Sequence, residues 1–183
     1  MHQKRQAVTK KIPIPRKGTK YVARSLSHTQ ESVPVVVAIR DMLKLARTAK
    51  EVKHMIKQKQ LKINGKEVKE YRDSIKLFNI FEADKTYVLS LTSTKRFTLK
   101  ETKDKKRSCK VINKTLLKQN KIQLNLHDGS NVITKEKINT QDTVILDEKG
   151  KISKHIHMDK GKSCFIISGK YIGREGKINS IND

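Results

Sequence analysis

An excess of positive charge is the feature that most restricts how this sequence can fold on its own. Lys and Arg together number 42 against 18 Asp and Glu, which gives a formal net charge of +24. The sequence pI is near 10.1. A chain with this much like charge repels itself when it is compact, so we expect a permanent polyanionic partner. A pI above about 9 with clustered Lys and Arg is typical of nucleic-acid-binding proteins, because each neutralised phosphate releases condensed counterions.

The apolar residues predict a modest core that is divided between small domains. They make up 35% of the 183 residues, below the ~45–50% usual for globular chains, a value that also counts Gly. The sequence has no apolar run of about 18 residues for a membrane span and no apolar stretch near Met1 for a secretory signal. We therefore expect a cytoplasmic protein with no membrane partner. Cys109 and Cys164 are isolated in the sequence, which predicts reduced, packed thiols.

Aromatic residues are scarce. Trp is absent, and Phe, Trp and Tyr together make up 4% of the chain. A single-strand binder that stacks bases on aromatic faces needs more of them. The composition instead favours contact with phosphates and with the shape of folded RNA.

Residues 1–33 predict a basic N-terminal arm. The first acidic residue is Glu31, and Pro13, Pro15 and Gly18 interrupt any helix. Such a segment cannot bury a core alone, and the apolar residues between its bases suggest ordering against a partner surface. A flexible solubilising tail is the alternative. The arm residues predicted to bind RNA are Lys4, Arg5, Lys10, Lys11, Arg16, Lys17, Lys20 and Arg24.

Residues 34–84 predict a small domain with two helices and a β-hairpin. Apolar residues recur every three or four positions from Pro34, which is favourable in a first helical turn, to Ala46. Thr48-x-x-Glu51 forms a capping box that predicts the start of the second helix. Asn64-Gly65 predicts a hairpin turn, because both of its positions take a positive φ. A further strand is expected over 75–81.

Residues 85–160 predict a β-rich central domain. Short alternating or β-favouring segments lie at near-regular spacing and are separated by turn residues such as Asp128-Gly129, as in small barrels and sandwiches. The predicted strands are 86–91, 96–99, 122–126, 131–134, 143–146 and 152–156. A charged loop between the second and third of these supplies three further candidate RNA contacts, Lys105, Lys106 and Arg107.

Residues 161–183 predict a Gly-rich turn between strands at 163–167 and 177–181. The spacing of Gly169, Gly173 and Gly176 matches neither a P-loop nor a dinucleotide-binding motif. Glycines between two strands suit a turn with positive φ. Lys170 and Arg174 at the tip could reach a phosphate, and a plain hairpin turn is the alternative interpretation.

The sequence predicts neither a metal nor a catalytic site. His155-x-His157 places two imidazoles on one face of a strand, with Cys164 nearby, but a fourth ligand and a CxxC pair are missing. No nucleophile elbow or pair of carboxylates for acid–base catalysis is present. We therefore expect no cofactor.

Two blocks carry a resemblance to a known family. The first combines Ile39–Ala46, Glu51-Val52 and Leu61–Lys66, and it resembles the small RNA-binding fold named after ribosomal protein S-four. The second, residues 168–178, resembles a KOW motif, the RNA-binding turn of an SH3-like barrel. A basic arm, the RNA-binding fold, a β-rich middle and a KOW motif, in this order over essentially the whole chain, resemble the ribosomal protein S-four-e family.

The resemblance implies an α+β, multi-domain structural constituent of the small ribosomal subunit. Such a protein binds small-subunit rRNA beside neighbouring ribosomal proteins, as a monomeric component of a cytoplasmic ribonucleoprotein, without catalytic activity or a required metal. The resemblance places RNA contact on Arg40, Arg47, Lys50, Lys53, Lys57, Lys62, Lys66, Lys170 and Arg174. This sequence departs from the family in two ways. The chain stops at Asp183, where other members continue, which predicts an incomplete final barrel, and Gln60 replaces a frequent Gly before the hairpin.

Two other functions use similar RNA-binding modules. An RNA-modifying enzyme would need a catalytic Asp in a strand-loop setting or a Gly-rich cofactor turn after a strand, and the β-rich remainder of the chain shows neither. A KOW-bearing transcription or translation factor would bind transiently and leave ribosomes at moderate salt.

Overall fold

The computed structural model describes residues 2–181, which form two compact units. Unit 1 extends to Asp104 and also includes Ile166–Arg174. Unit 2 comprises Lys105–Phe165 and the residues from Glu175 onward. The finer division of the chain at 1–33, 34–84, 85–160 and 161–183 stays a prediction.

Unit 1 is built from short strands and few helices. Its strands are β1 (Gln3–Lys4), β2 (Tyr21–Val22), β3 (Ser32–Pro34), β4 (Lys62–Ile63), β5 (Lys66–Glu67), β6 (Ser74–Lys76), β7 (Ile80–Glu82), β8 (Thr86–Leu91) and β9 (Phe97–Glu101). Its helices are a 3₁₀ turn (Arg5–Ala7), α1 (Val35–Val37), which continues as a π-helix (Ala38–Met42), and α2 (Ala49–Lys57). The main sheet is antiparallel in the order β5-β4-β7-β8-β9. Two smaller sheets pair β1 with β2 and β3 with β6.

The first helix differs from its prediction in both length and burial. The apolar spacing predicts an amphipathic helix reaching Ala46, but the helix ends at Met42, and Lys44 adopts a φ of +58°. Val35 to Ile39 are all buried, so this helix starts as a core element without a polar face. Its last turn widens to a π-helix in which the Leu43 N–H donates to the Ala38 carbonyl at 2.9 Å. Arg47 therefore lies in the connection between the helices.

The second helix begins at the predicted capping box. The Thr48 side chain accepts from the Glu51 N–H at 3.3 Å, and the Glu51 carboxylate accepts from the Arg47 N–H at 2.7 Å. These contacts satisfy N–H groups that the helix itself cannot pair. The hydrogen bonds from Arg47 and Thr48 lower the pKa of Glu51. At the other end Lys59 has a φ of +57°, and the Gln60 N–H donates to the Met55 carbonyl at 3.2 Å. This is a Schellman stop that uses Lys59 in place of a glycine.

The predicted hairpin turn is confirmed, and the prediction of a single strand after it is wrong. Asn64 and Gly65 have φ values of +51° and +76°, as a two-residue turn between β4 and β5 requires. The single strand expected over 75–81 is two strands, β6 and β7, which belong to different sheets. Phe78, with a φ of +60°, lies in the turn that separates them.

The N-terminal arm is ordered by this chain itself. Val8 and Ile12 are buried, and the Phe97 N–H at the start of β9 donates to the Lys11 carbonyl at 2.7 Å. β1 and β2 pair antiparallel and close the arm into a loop. The expectation that the apolar residues of the arm need a partner surface for ordering is therefore wrong for Ile12.

Unit 2 contains one five-stranded antiparallel sheet in the order β12-β11-β10-β13-β14 and a separate two-stranded sheet, β15-β16. The strands are β10 (Arg107–Leu116), β11 (Ile122–Leu126), β12 (Asn131–Thr134), β13 (Thr143–Leu146), β14 (Ile152–Ile156), β15 (Ser163–Phe165) and β16 (Glu175–Lys177). Its core consists of Cys109, Val111, Leu124, Leu126, Ile138, Val144 and Leu146. Burial raises the pKa of the Cys109 thiol to about 12.

Two expectations for this half of the chain need correction. The ten-residue strand β10 was not predicted, because its outer half is exposed and lacks an apolar alternation. Arg107, expected in a loop, begins this strand. The strands expected at 163–167 and 177–181 are shorter and lie at Ser163–Phe165 and Glu175–Lys177, where they pair as the two-stranded β15-β16 sheet. The described chain is thus mostly β with few short helices, none of them long and apolar enough to cross a bilayer.

Candidate nucleic-acid interface

Basic residues of the N-terminal arm line a cavity in unit 1. Residues 4–6 and 16–20 line this cavity, and five of them are basic: Lys4, Arg5, Arg16, Lys17 and Lys20. The two arginines hold the walls in place. Arg5 donates to the carbonyls of Thr19 and Pro15 at 2.7 Å each, and Arg16 donates to the Val8 carbonyl at 3.0 Å. The lysines remain exposed, which leaves their ammonium groups accessible to an anion.

Three lysines form one face of α2. Lys50, Lys53 and Lys57 are spaced three and four residues apart and are exposed, whereas Val52 is fully buried beneath them. Lys53 also lies 4.7 Å from the centre of the Tyr71 ring, a cation–π contact that positions its ammonium group. We call Lys50, Lys53 and Lys57 the α2 lysine face.

The other basic residues of the predicted RNA-binding fold are dispersed over its surface and do not form one cluster. Lys62 pairs across the hairpin with Glu67, and Ile63 pairs with Lys66, so Lys62 and Lys66 point to opposite faces of the hairpin. Arg40 forms a bidentate ion pair with Asp41, whose hydrogen bond raises the pKa of Arg40. Arg47 is exposed in the connection before α2.

The three basic residues predicted in a loop of unit 2 differ in their exposure. Lys105 and Lys106 are exposed, and Lys105 lies 2.8 Å from Glu148. Arg107 instead forms an ion pair with Asp128, and the two side chains are only 11% and 2% exposed. Its guanidinium contacts Asp128 inside unit 2, as expected of a residue that stabilises the fold.

The Gly-rich turn presents an aromatic ring between two cations. Tyr171 is 53% exposed, and Lys170 and Arg174 each lie 5.7 Å from its ring centre. Gly169 and Gly173 have φ values of +91° and +80°, which confirms the expected positive φ for these two, whereas Gly176 lies within β16. The total number of aromatic residues in the sequence gives no indication of Tyr171 or Tyr71 as site residues. Their position beside basic residues was the available signal.

The histidine pair has a third neighbour that the sequence did not reveal. Asp142, at the entrance to β13, contacts both His155 and His157, and the three form a group of potential metal ligands. Cys164, considered with the histidines from sequence spacing, is not part of this group.

Comparison with known proteins identifies the family. The family model described as ribosomal family S4e matches residues 83–152. The small ribosomal subunit protein eS4 of Methanocella arvoryzae is 34% identical over 188 residues, which cover 98% of this chain and 80% of that protein. The protein of the same name from Archaeoglobus fulgidus is 32% identical over 187 residues, with coverage of 98% and 80%.

A solved structure agrees with these sequence matches. The crystal structure of the 30S ribosomal protein S4e from Thermoplasma acidophilum aligns with a TM-score of 0.73 at 27% identity. The alignment covers 84% of this chain and 83% of that one. The family match, the near-full-length relatives and this shared fold are consistent with one another, and the chain belongs to the ribosomal protein S4e family.

Proposed function

We propose that this chain is a structural constituent of the small ribosomal subunit and that it binds small-subunit rRNA. The observation that carries the proposal is its similarity, over 98% of its length, to proteins named small ribosomal subunit protein eS4. The family is structural, which favours a non-catalytic role. The ribosome would supply the polyanion that a net charge of +24 requires.

Exposed lysine and arginine side chains support contact with RNA phosphates as the mode of binding. The α2 lysine face and the lysines around the arm cavity are accessible. Ammonium groups act as point charges on phosphates without reading a base sequence. Arg47, Lys62, Lys66, Lys105, Lys106, Lys170 and Arg174 extend this proposed surface, together with Lys10 and the half-buried Lys11 of the arm. Arg5, Arg16, Arg40 and Arg107 hold the protein's own groups, so we assign them a positioning role in the interface.

We further propose that residues 34–84 act as an RNA-binding module of the S-four type, followed by a β-rich domain at 85–160. The helix α2 and the hairpin β4-β5 are the elements that support this assignment. Residues 168–178 would act as a KOW-type turn, with Lys170 and Arg174 directed to phosphates. Neighbouring ribosomal proteins and a cytoplasmic location follow from the same proposal.

Replacing the α2 lysine face with alanines should weaken rRNA binding mainly through its dependence on salt. Each lost phosphate contact lowers the slope of log K against log[salt] by about 0.7–0.9. Loss of all three should therefore reduce the slope by about 2 to 3. Alanine is the best helix former, so α2 should remain folded. The measurement is binding of the purified chain to small-subunit rRNA over a series of KCl concentrations.

A second triple variant serves as the control. Lys149, Lys151 and Lys154 are also exposed, but they lie outside the proposed surface. Their replacement with alanines removes the same charge and should leave the slope nearly unchanged. An equal loss of slope in both variants would show an undifferentiated polycation and contradict the proposed surface.

A further inference from the structure

Three potential metal ligands meet at one end of the β13-β14 hairpin. Thr143 pairs with Ile156 and Val144 with His155, so Asp142, one residue before β13, lies beside His157, one residue after β14. His155 and His157 are two residues apart, which places both rings on the same side of the chain. The register of one hairpin thus brings a carboxylate and two imidazoles together in unit 2.

The distances between the three side chains are short. Asp142 Oδ2 lies 2.8 Å from His155 Nε2 and 3.2 Å from His157 Nδ1. The two imidazole ring centres are 4.1 Å apart, at an angle of 64°. One ligand atom from each residue lies within 4.8 Å of the other two. Exposure rises outward, from 5% for the Asp142 side chain to 18% for His155 and 54% for His157.

Backbone groups fix the direction of the carboxylate. Oδ1 of Asp142 accepts from the Met158 N–H at 3.1 Å, and Oδ2 accepts from the Asn139 N–H at 3.1 Å. Oδ2 consequently faces three nitrogens, although a carboxylate oxygen has only two lone pairs. Hydrogen bonding alone therefore leaves one of these nitrogens poorly paired. A cation held between the oxygen and the two imidazoles would use all three groups as ligands.

The chemistry of the donors restricts the ion. Two imidazole nitrogens and one carboxylate oxygen suit zinc and related divalent transition metals, not the oxygen-preferring Mg²⁺ or Ca²⁺. In a tetrahedral site with ligands at about 2.0–2.1 Å, ligand atoms are about 3.4 Å apart. The observed 2.8 and 3.2 Å require an opening of a few tenths of an ångström. His157 is the most exposed of the three and is the side chain best able to move.

We propose that Asp142, His155 and His157 bind one divalent transition-metal ion, with zinc the best match to the ligand set. Three protein ligands leave the fourth tetrahedral position open to water or to an oxygen from another molecule. The bound ion would join the start of β13 to the end of β14 and fasten this end of the hairpin. The site is independent of the surface proposed for rRNA binding.

Zinc binding to the purified full-length chain, freed of RNA and of metal, tests the proposal. Calorimetric titration with ZnCl₂ should show one ion per chain, and Co²⁺ in place of zinc should give the visible absorption of a tetrahedral site. His157→Ala should weaken zinc binding by roughly tenfold or more, since the loss of even an outer-shell partner of a metal ligand costs 10–100-fold. Zinc should also raise the thermal midpoint of the wild type and not that of the variant.

His54→Ala is the matched control, because His54 is an exposed histidine on α2 in unit 1. This variant should bind zinc like the wild type. His157 is largely exposed, so its replacement should leave the metal-free thermal midpoint unchanged and the comparison interpretable. Absence of one-to-one binding in the wild type, or equal weakening by both substitutions, would overturn the proposal. Either result would leave the proposed ribosomal function untouched.

Discussion

Arg107→Ala is expected to destabilise unit 2 by about 3 kcal/mol or more, in the range of about 3–5 kcal/mol found when one partner of a buried ion pair is removed. Asp128 is 2% exposed, and Arg107 supplies the cation beside it. Ser130 would still donate to the carboxylate through its N–H at 2.9 Å, but the buried charge would lose its guanidinium. Hydrogen exchange of the β10 and β11 amides measures the loss within unit 2.

Lys105→Ala is the control for this substitution. Lys105 and Glu148 form an ion pair whose side chains are 52% and 43% exposed. Exposed pairs typically contribute about 0–1 kcal/mol, so unit 2 should keep nearly all its stability. Similar exchange rates for the two variants would contradict the structural role assigned to Arg107.

The effect of Arg107→Ala should also depend on pH. Burial by itself raises the pKa of Asp128, but the hydrogen bonds from Ser130 and the charge of Arg107 outweigh it, and the net pKa is lowered from 3.8. A carboxyl group with a depressed native pKa stabilises the fold above its ordinary pKa, and this contribution is lost as the pH falls through the native value. The difference between wild type and variant should therefore be full at pH 7 and shrink below pH 3.8.

Gly173→Ala is expected to release the 166–174 segment from its place in unit 1. A Cβ on Gly173 would lie 2.1 Å from the Thr92 carbonyl oxygen, and the φ of +80° adds strain for any other residue. That carbonyl already accepts from the Lys95 N–H at 2.9 Å, so the turn between β8 and β9 cannot easily withdraw. Left-handed strain of about 1–2 kcal/mol and overpacking of about 1–3 kcal/mol together predict that the segment loses about 2–5 kcal/mol of stability.

Gly169→Ala separates the contact from the strain. Gly169 has a φ of +91°, and its added Cβ would meet nothing within 4 Å. It should therefore cost only the strain of about 1–2 kcal/mol. Hydrogen exchange of the Gly173 N–H, which donates to the Ile166 carbonyl at 2.8 Å, follows the segment directly. If this amide is equally protected from exchange in the two variants, close packing of Gly173 on Thr92 is not what holds the segment in place.

Elements that depend on neighbouring residues were predictable from the sequence. The cap at Thr48 and Glu51 and the turn at Asn64-Gly65 are formed by side chains and backbone within four residues of each other. Apolar alternation likewise located β8, β11 and β13, because each of these strands has one face in a core. The same reasoning did not locate the end of the first helix. Its opening residues are buried on every side, so periodicity gave no boundary for it.

Features that depend on distant residues were not predictable. The sequence predicts Arg107 as a phosphate contact, because its ion-pair partner Asp128 is 21 positions away and reaches it only through the pairing of β10 with β11. Asp142 joins His155 from 13 positions away through the register of β13 and β14. The charge of the chain indicated an RNA partner. Which cations face outward depends on these long-range pairings.

Sedimentation of cell lysate through a density gradient, with this chain quantified in each fraction at low and high salt, tests the ribosomal role most directly. We expect the chain to follow the small subunit at one copy per particle and to remain bound after the high-salt wash. A chain that sediments free, that is present well below one copy per subunit, or that elutes at moderate salt would contradict a structural ribosomal role.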